Sequence, residues 1–445
     1  MATRMAGGGW RAARALGLLM AWSALVCAST LHAQQYHSTP HVDAGYGDGF
    51  DADGYDDGSG YGCGDCCDDC SGSHMPDSAC LFGCGGDGQQ WWFGADYLVW
   101  RIDGSRLPPL VTDSSISNVP ALGLSTTRVI AGANNTAESW RSGYRLRAGF
   151  WLDECHDLAI TGDYFQLGDD DYNFYYAGDS GRNTGRPFFN TQSGTQDVRL
   201  ISVPTLFDGT ISVATDDDFQ GAGLALEQSV YAIGDVSGCG PGTQLILIGG
   251  YRYYGYDSRL AISDSRTTLS GAQAGDQSLK RDDFSTSNEF HGGQFGALVR
   301  FTQQSCWFDG LAKIAVGGQR SSVTISGETV TIPAGMVAQT AEGGLLTSSE
   351  TNIGHYSDTR ARVIPEFRVG FGVYLTPNWS VRAGYSVVAW SGVARPAGQM
   401  PPNLAVDQRN LPPVSAGGGA SPLFPGIGTS NLVADGIDLA VEFTY

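Results

Sequence analysis

A period of two, repeated along most of the chain, limits what this sequence can fold into more than any other feature. In the last ten residues Ile437, Leu439, Val441, Phe443 and Tyr445 alternate with Asp438, Ala440, Glu442 and Thr444. Such alternation belongs to a β-strand with one apolar and one polar face. The same texture recurs at about 91–101, 138–151, 156–167, 220–236, 243–260, 286–302, 306–325, 360–375, 379–392 and 436–445. Between 360 and 375, Val363, Pro365, Phe367, Val369, Phe371, Val373 and Leu375 share one face, opposite Ile364, Glu366, Arg368, Gly370, Gly372 and Tyr374. In the next segment Val381, Ala383, Tyr385, Val387 and Ala389 oppose Arg382, Gly384 and Ser386.

The connections are sorted. Trp151 to His156, Asp235 to Thr243, Thr302 to Cys306 and Leu375 to Trp379 are short, whereas 102–137, 168–219, 261–285, 326–359 and 393–435 are long and polar. Short and long alternate strictly. A β-sandwich gives no reason for this, but a barrel crossing a bilayer has tight turns at one end and long loops at the other. An even strand number also brings the last strand beside the first and leaves no open edge. The expected fold is therefore all-β, a transmembrane antiparallel up-and-down barrel of about ten strands.

Composition and targeting fit that reading. Arg4, Arg11 and Arg14 precede an apolar stretch from Ala15 to about Ser29, and Leu31-His32-Ala33 offers a cleavage site before Gln34. This predicts a signal peptide over 1–33. Residues 34–90 are rich in Gly, Asp, Ser, Tyr and Cys, contain no Lys or Arg, and read as an acidic tail without a core of its own. The barrel is expected over 91–445. With 63 Gly, 19 Tyr, 19 Phe, 10 Trp and a net charge of −20, the chain is a poor nucleic-acid binder. Divalent cations or basic cell-envelope components suit it better.

Two stretches resemble a known family. Trp92-Phe93-Gly94-Ala95-Asp96-Tyr97-Leu98-Val99-Trp100 followed by Leu107-Pro108-Pro109-Leu110-Val111-Thr112 is similar to the opening motif of beta barrel porin-7, a planctomycete family of outer-membrane barrels. Gly249-Gly250-Tyr251-Arg252-Tyr253 and Asp283 through Gln294 resemble its central segments. The likeness runs from about Trp91 to Tyr445. It implies an outer-membrane location, lipid around the wall, and contact with the barrel-assembly machinery. The closing strand, with Phe443 and Tyr445, resembles the terminal assembly signal of such barrels.

Strand parity points Arg145, Arg147, Arg252, Arg300, Arg368 and Arg382 inward, together with Asp96, Asp163, Glu366, Asp438 and Glu442. Two readings follow. These charges form a selective constriction, or they pair off and fill a lumen that, at ten strands, is near the size side chains can occupy. Cys63, Cys66, Cys67, Cys70, Cys80 and Cys84 cluster in the tail, and Cys155, Cys239 and Cys306 fall in or beside short turns. An exported chain meets an oxidising compartment, so disulfides linking tail to turns are expected. No metal site or cofactor is expected: Tyr55 interrupts the acidic run from Asp43 to Asp57 where calcium needs an oxygen ligand. His355 and Asp358 lack a recognisable nucleophile, and no enzymatic activity is expected. The functional expectation is a narrow channel for passive diffusion of small solutes. The alternative is an occluded barrel that acts in the envelope through its long external loops.

Overall fold

The computed structural model describes residues 90–133, 135–136, 140–153, 156–168, 172–178, 181–190, 193–234, 241–303, 305–400 and 424–445. The expected signal peptide and acidic tail (1–33 and 34–90), with the tail's six cysteines, and Cys155 and Cys239 lie outside the described residues, apart from Gln90. Ten long strands form one closed antiparallel sheet: β1 (Trp91–Ile102), β2 (Trp140–Trp151), β3 (Leu158–Leu167), β4 (Phe207–Gly234), β5 (Gly242–Thr268), β6 (Gln277–Gln303), β7 (Cys306–Ile332), β8 (Gly354–Tyr374), β9 (Trp379–Ala394) and β10 (Thr429–Thr444). Each pairs with its sequence neighbours, and β1 closes the ring on β10 from Trp92↔Thr444 to Ile102↔Ala434. Backbone bonds between Trp91 and Tyr445, 3.0 and 2.8 Å, finish the seam.

Period-two burial divides each strand into a wet or lipid-facing side and an inner side. Phe93 and Tyr97 of β1, Leu146 of β2, Leu224 and Leu226 of β4, Phe295 of β6, Ile314 and Val316 of β7, Phe367 of β8 and Leu439 of β10 are 49–65% exposed. In water such a belt would be an aggregation surface, whereas around a barrel it is the face that meets hydrocarbon. The short turns are built locally. At one of them the Asp153 carboxylate accepts hydrogen bonds from the amides of Asp157 and Leu158 at 2.9 and 3.0 Å.

The strands differ from expectation in length. β4 has 28 residues and β5, β6 and β7 have 27 each, against about 9–11 needed to cross a bilayer at a tilt. The expected excursions 168–219, 261–285 and 326–359 are therefore partly strand. They read as loops because, beyond the lipid, outward positions need no apolar residue: Ser263, Ser265, Ser285 and Ser287 stand where Leu247 and Phe295 stand lower down. Inward positions keep their signal in Ile211, Val213, Leu260, Ile262, Phe284, Val323 and Ile325, all buried.

This tall half-wall is covered from inside. Segments Val111–Ser115, Arg128–Ala131, Arg182–Asn190 and Thr195–Ser202, from the two long connections before β2 and β4, make a separate four-stranded sheet. Leu107, Leu110, Val111 and Ala131 pack on the apolar inner face of β4–β7. β9 adds a third covering piece. It stays paired with β8 only from Tyr374↔Ser380 to Glu366↔Val388, then bulges at Gly392, whose φ of +74° suits glycine. Its end turns into the mouth, where Asn288 of β6 bonds both the carbonyl (2.9 Å) and the amide (2.8 Å) of Ala394.

Candidate functional site

The lumen is built in three storeys. The lowest, at the turn end, is a charged cavity of about 380 Å³. Asp96 on β1 is fully buried and takes Arg147 Nε at 3.0 Å and Arg382 Nη2 at 3.1 Å, with Arg145 Nη1 at 3.9 Å. Arg147 also reaches Glu442 at 3.0 Å. On the facing wall Arg252 pairs with Asp163 at 2.6 Å, and Lys313 with Glu366 at 3.2 Å. Arg252 lies 3.7 Å from Glu366, and Tyr254 donates to the same carboxylate at 2.9 Å. β5 and β8 are separated on the ring by β6 and β7, so these contacts cross the lumen. Asp438 accepts from Trp100 Nε1 at 2.7 Å and from the Ser386 hydroxyl. Arg300 comes within 3.9 Å of Asp309, and Arg368 lines the cavity.

One glycine is required here. Gly223 on β4 stands in register with Asp163 on one side and Arg252 on the other. A Cβ at this position would lie 2.7 Å from Asp163 Oδ1 and 2.8 Å from Arg252 Nη1. The absent side chain is what lets the ion pair bridge the strand between its partners.

The middle storey is apolar and aromatic. Leu98, Trp100 and Ile102, Phe165 and Leu167, Phe219, Tyr254 and Tyr256, Phe290, Ala315, Ile364, Val388, Trp390 and Val393, and Leu432 and Ala434 form one buried cluster, to which nine of the ten strands contribute. β2 contributes Arg145, whose guanidinium lies over the rings of Trp100 and Phe165 at 5.3 and 5.5 Å. Rings run in contact across the section: Trp100–Phe165 at 5.6 Å, Phe165–Phe219 at 5.3 Å, Phe219–Tyr254 at 6.1 Å and Tyr254–Trp390 at 6.0 Å. Trp390 is fixed by donating Nε1 to Gln319 at 2.8 Å. Buried Trp and Tyr normally find such a partner.

Above this layer the inserted sheet is clamped to the half-wall. Arg186 bridges Asp264 (2.8 Å) and Asp282 (2.6 Å), and Arg199 takes the other oxygen of Asp264 at 2.9 Å. Lys280, well outside the lipid belt, is buried beside them without a hydrogen-bond partner among the described residues. Burial, aided by the nearby Arg199 charge, pulls its ammonium down to about 7. Within the inserted sheet, on the strand paired at both sides, Asp113 takes Arg128 at 2.6 Å and Arg182 at 2.7 Å. Burial alone would raise its carboxyl, but hydrogen bonds and charge from the two arginines outweigh that and hold it below the usual range.

All eleven charged residues that parity pointed inward lie on the inner side, as the ion pairs above and the cavity lining record. Of the nine cysteines singled out, only Cys306 is described, buried at the start of β7. Phe443 packs on Trp379 at 4.8 Å between ring centres, and Tyr445 is exposed at the rim. His355 contacts Thr324, and Asp358 pairs with Arg360. The aromatic storey is hidden in the alternation, because in a membrane barrel apolar residues are expected on the lipid face. The signal was present, since Trp100, Tyr254, Phe290 and Trp390 share parity with the inward charges.

The family described as "Putative beta barrel porin-7" matches residues 92–445. No curated protein matches. Among solved structures, the outer-membrane protease OmpT of Escherichia coli is 9% identical with a TM-score of 0.37, over 80% of this chain and 97% of that one. The attachment invasion locus protein Ail of Yersinia pestis is 8% identical with a TM-score of 0.21, over 80% and 99%. The Pseudomonas putida toluene transporter TodX is 10% identical with a TM-score of 0.14, over 81% and 90%. The family match, with the closed ring and its lipid belt, puts the chain in an outer membrane.

Proposed function

Since the chain belongs to the beta barrel porin-7 family and the middle storey of its barrel is filled from wall to wall, we propose an outer-membrane protein whose resting lumen is closed and which serves the envelope through its outer surface. The aromatic storey carries this reading. Its rings touch across the section, and Trp100, Phe165, Phe219, Phe290 and Trp390 have no solvent exposure. A barrel of about eight strands is just wide enough for side chains to fill, and open aqueous pores have roughly 16–18; ten strands fit the filled state. The tall half-wall carries the outer connections, and parts of two of them are packed and ion-paired onto it as the inner sheet. Their tips expose Ile116, Val119, Leu124, Leu269, Met336 and Val337, the apolar contacts a surface partner would use. On the opposite side, Cys306 lies at the start of β7, and in the oxidising compartment an exported chain meets, it would join the disulfides expected of the chain's other cysteines.

The charged cavity favours a second reading, a narrow channel whose aromatic storey moves aside to pass solutes. Single-channel recording of the folded protein in planar bilayers separates the two. Silence is the expected result. Stable conducting steps, shifted in ion selectivity by reversing the charges of Arg145, Arg147 and Arg368, would replace the closed barrel with a diffusion channel.

A further inference from the structure

One wall of the charged cavity carries Arg300, Arg368 and Arg382, and the carboxylates of Glu227 and Glu442 face Arg300 from the same lining. Arg300, Arg368 and Arg382 surround one buried carboxylate, Asp309. Arg300 approaches it only to 3.9 Å, and Arg382 turns instead to Asp96, which Arg145 and Arg147 already share. Arg368 has no hydrogen bond or ion pair among the described residues, and its Nε is buried. The Nε atoms of Arg300 and Arg382, and Nε and Nη2 of Arg145, also lack acceptors. The side chains of Arg145 and Arg382 are only 3% and 6% exposed. All four arginines line the same cavity. Buried donors without acceptors are costly and are rarely left that way.

We propose that this cavity is a binding site for a small oxyanion with two or more negative charges, a polycarboxylate or a phosphate, held by Arg368 together with the unfilled donors of Arg145, Arg300 and Arg382. Planar guanidinium forks suit carboxylate and phosphate oxygens, and about 380 Å³ falls within the range of small-molecule pockets, roughly 300–1,000 Å³. The proposal rests on the closed-lumen reading in one respect: among the described residues, the aromatic storey closes the cavity above and leaves it the turn end. That end faces the periplasm in the topology that puts long loops outside. Two sources supply the chemistry there. One is a free periplasmic anion. The other is the chain's own segment 34–90, whose eleven aspartates come without a single Lys or Arg. That segment joins the barrel next to Trp92, itself a cavity-lining residue, and tethering gives its carboxylates a high effective concentration.

The test is calorimetric titration of the full mature chain, folded in a non-ionic detergent, with citrate, with inorganic phosphate and with neutral glycerol. The same titrations are run on Arg368→Gln, on Arg368→Lys, and on a chain with every aspartate of 34–90 changed to Asn. Citrate or phosphate should bind one to one and glycerol should not. Arg368→Gln should weaken binding about tenfold or more, the effect of losing a charge-assisted hydrogen bond. Arg368→Lys should recover part of it. Equal binding by the mature and tail-neutralised chains identifies a free solute. Binding only by the tail-neutralised chain identifies the tail as the resident occupant. No binding by either, or unchanged affinity in Arg368→Gln, overturns the site. Conductance by a sample that still binds would sink the closed lumen and leave the site standing.

Discussion

Gly223→Ala puts a number on how tightly the lower lumen is filled. The new Cβ would sit 2.7 Å from Asp163 Oδ1 and 2.8 Å from Arg252 Nη1, nearer than carbon and a polar atom can rest. If the ion pair slides sideways intact, the cost is that of over-packing, about 1–3 kcal/mol. If it breaks, Arg252 keeps only Glu366 at 3.7 Å, and a separated buried pair costs about 3–5 kcal/mol. The Asp163–Arg252 distance is 2.6 Å at present, which leaves little slack, so a loss near 3 kcal/mol is expected. Gly249→Ala on the adjacent strand is the control, because a Cβ there meets nothing within 4 Å. Its effect should stay within about 0.5 kcal/mol. Urea unfolding of the barrel from phospholipid vesicles, followed by tryptophan fluorescence, reads both variants, and an unchanged m-value licenses the comparison. Equal midpoints for the two alanine variants would refute the argument that the ion pair bridges an obligatory glycine.

Other perturbations probe the upper storeys. Trp390→Ala should cost about 3–5 kcal/mol, with Gln319 losing its donor, whereas Trp379→Ala at the half-exposed rim should cost far less; similar unfolding midpoints would contradict a packed middle storey. Lys280 titrates near 7 when folded against an ordinary 10.5, so between those values the unfolded chain binds more protons and stability should rise with pH. Lys280→Met should be more stable at neutral pH and lack that rise in denaturant titrations from pH 6.5 to 10; a wild-type profile as flat as the variant's would count against the buried ammonium. Asp113, held below the usual carboxylate range by Arg128 and Arg182, contributes stability above that range and loses it as pH falls through its folded value. Asp113→Asn at neutral pH should therefore raise hydrogen exchange in 111–115 and 182–190, and protection equal to wild type would argue that the clamp is incidental.

The sequence was legible wherever one physical constraint acted alone. In the lipid belt, outward positions must be apolar, so parity separated Leu146 from Arg145 and Arg147, and Phe367 from Glu366 and Arg368. The short connection from Leu375 to Trp379 and the seam at Tyr445 followed from the same pattern. Reading failed where the constraint changed along a strand. Above the belt, outward positions become Ser, Thr and Asp, and the tall ends of β4–β7 look like loops although Ile211, Val213, Ile262 and Phe284 continue the period. The middle storey was hidden for the opposite reason. Its aromatics lie on the side that pattern reading reserves for polar residues, and only the narrowness of a ten-stranded ring makes an apolar interior sensible.

The unequal strand lengths tie the outer surface to the lumen. β1 and β3, at 12 and 10 residues, are little longer than a crossing requires, while β4–β7 continue far beyond. A half-wall of this kind has an apolar inner face with no opposite wall to meet it. Left bare, Leu260, Ile262, Phe284 and Val323 would face water. The inserted sheet and the inward-turned end of β9 cover them, and Arg186 and Arg199 fix the sheet to Asp264 and Asp282. The two longest outer connections are thus committed to packing, and only their tips remain for a partner. The same packing puts a second apolar layer in series with the aromatic storey. Removing Trp390 alone would therefore loosen the barrel without opening it, and a conducting variant would require both layers to be breached.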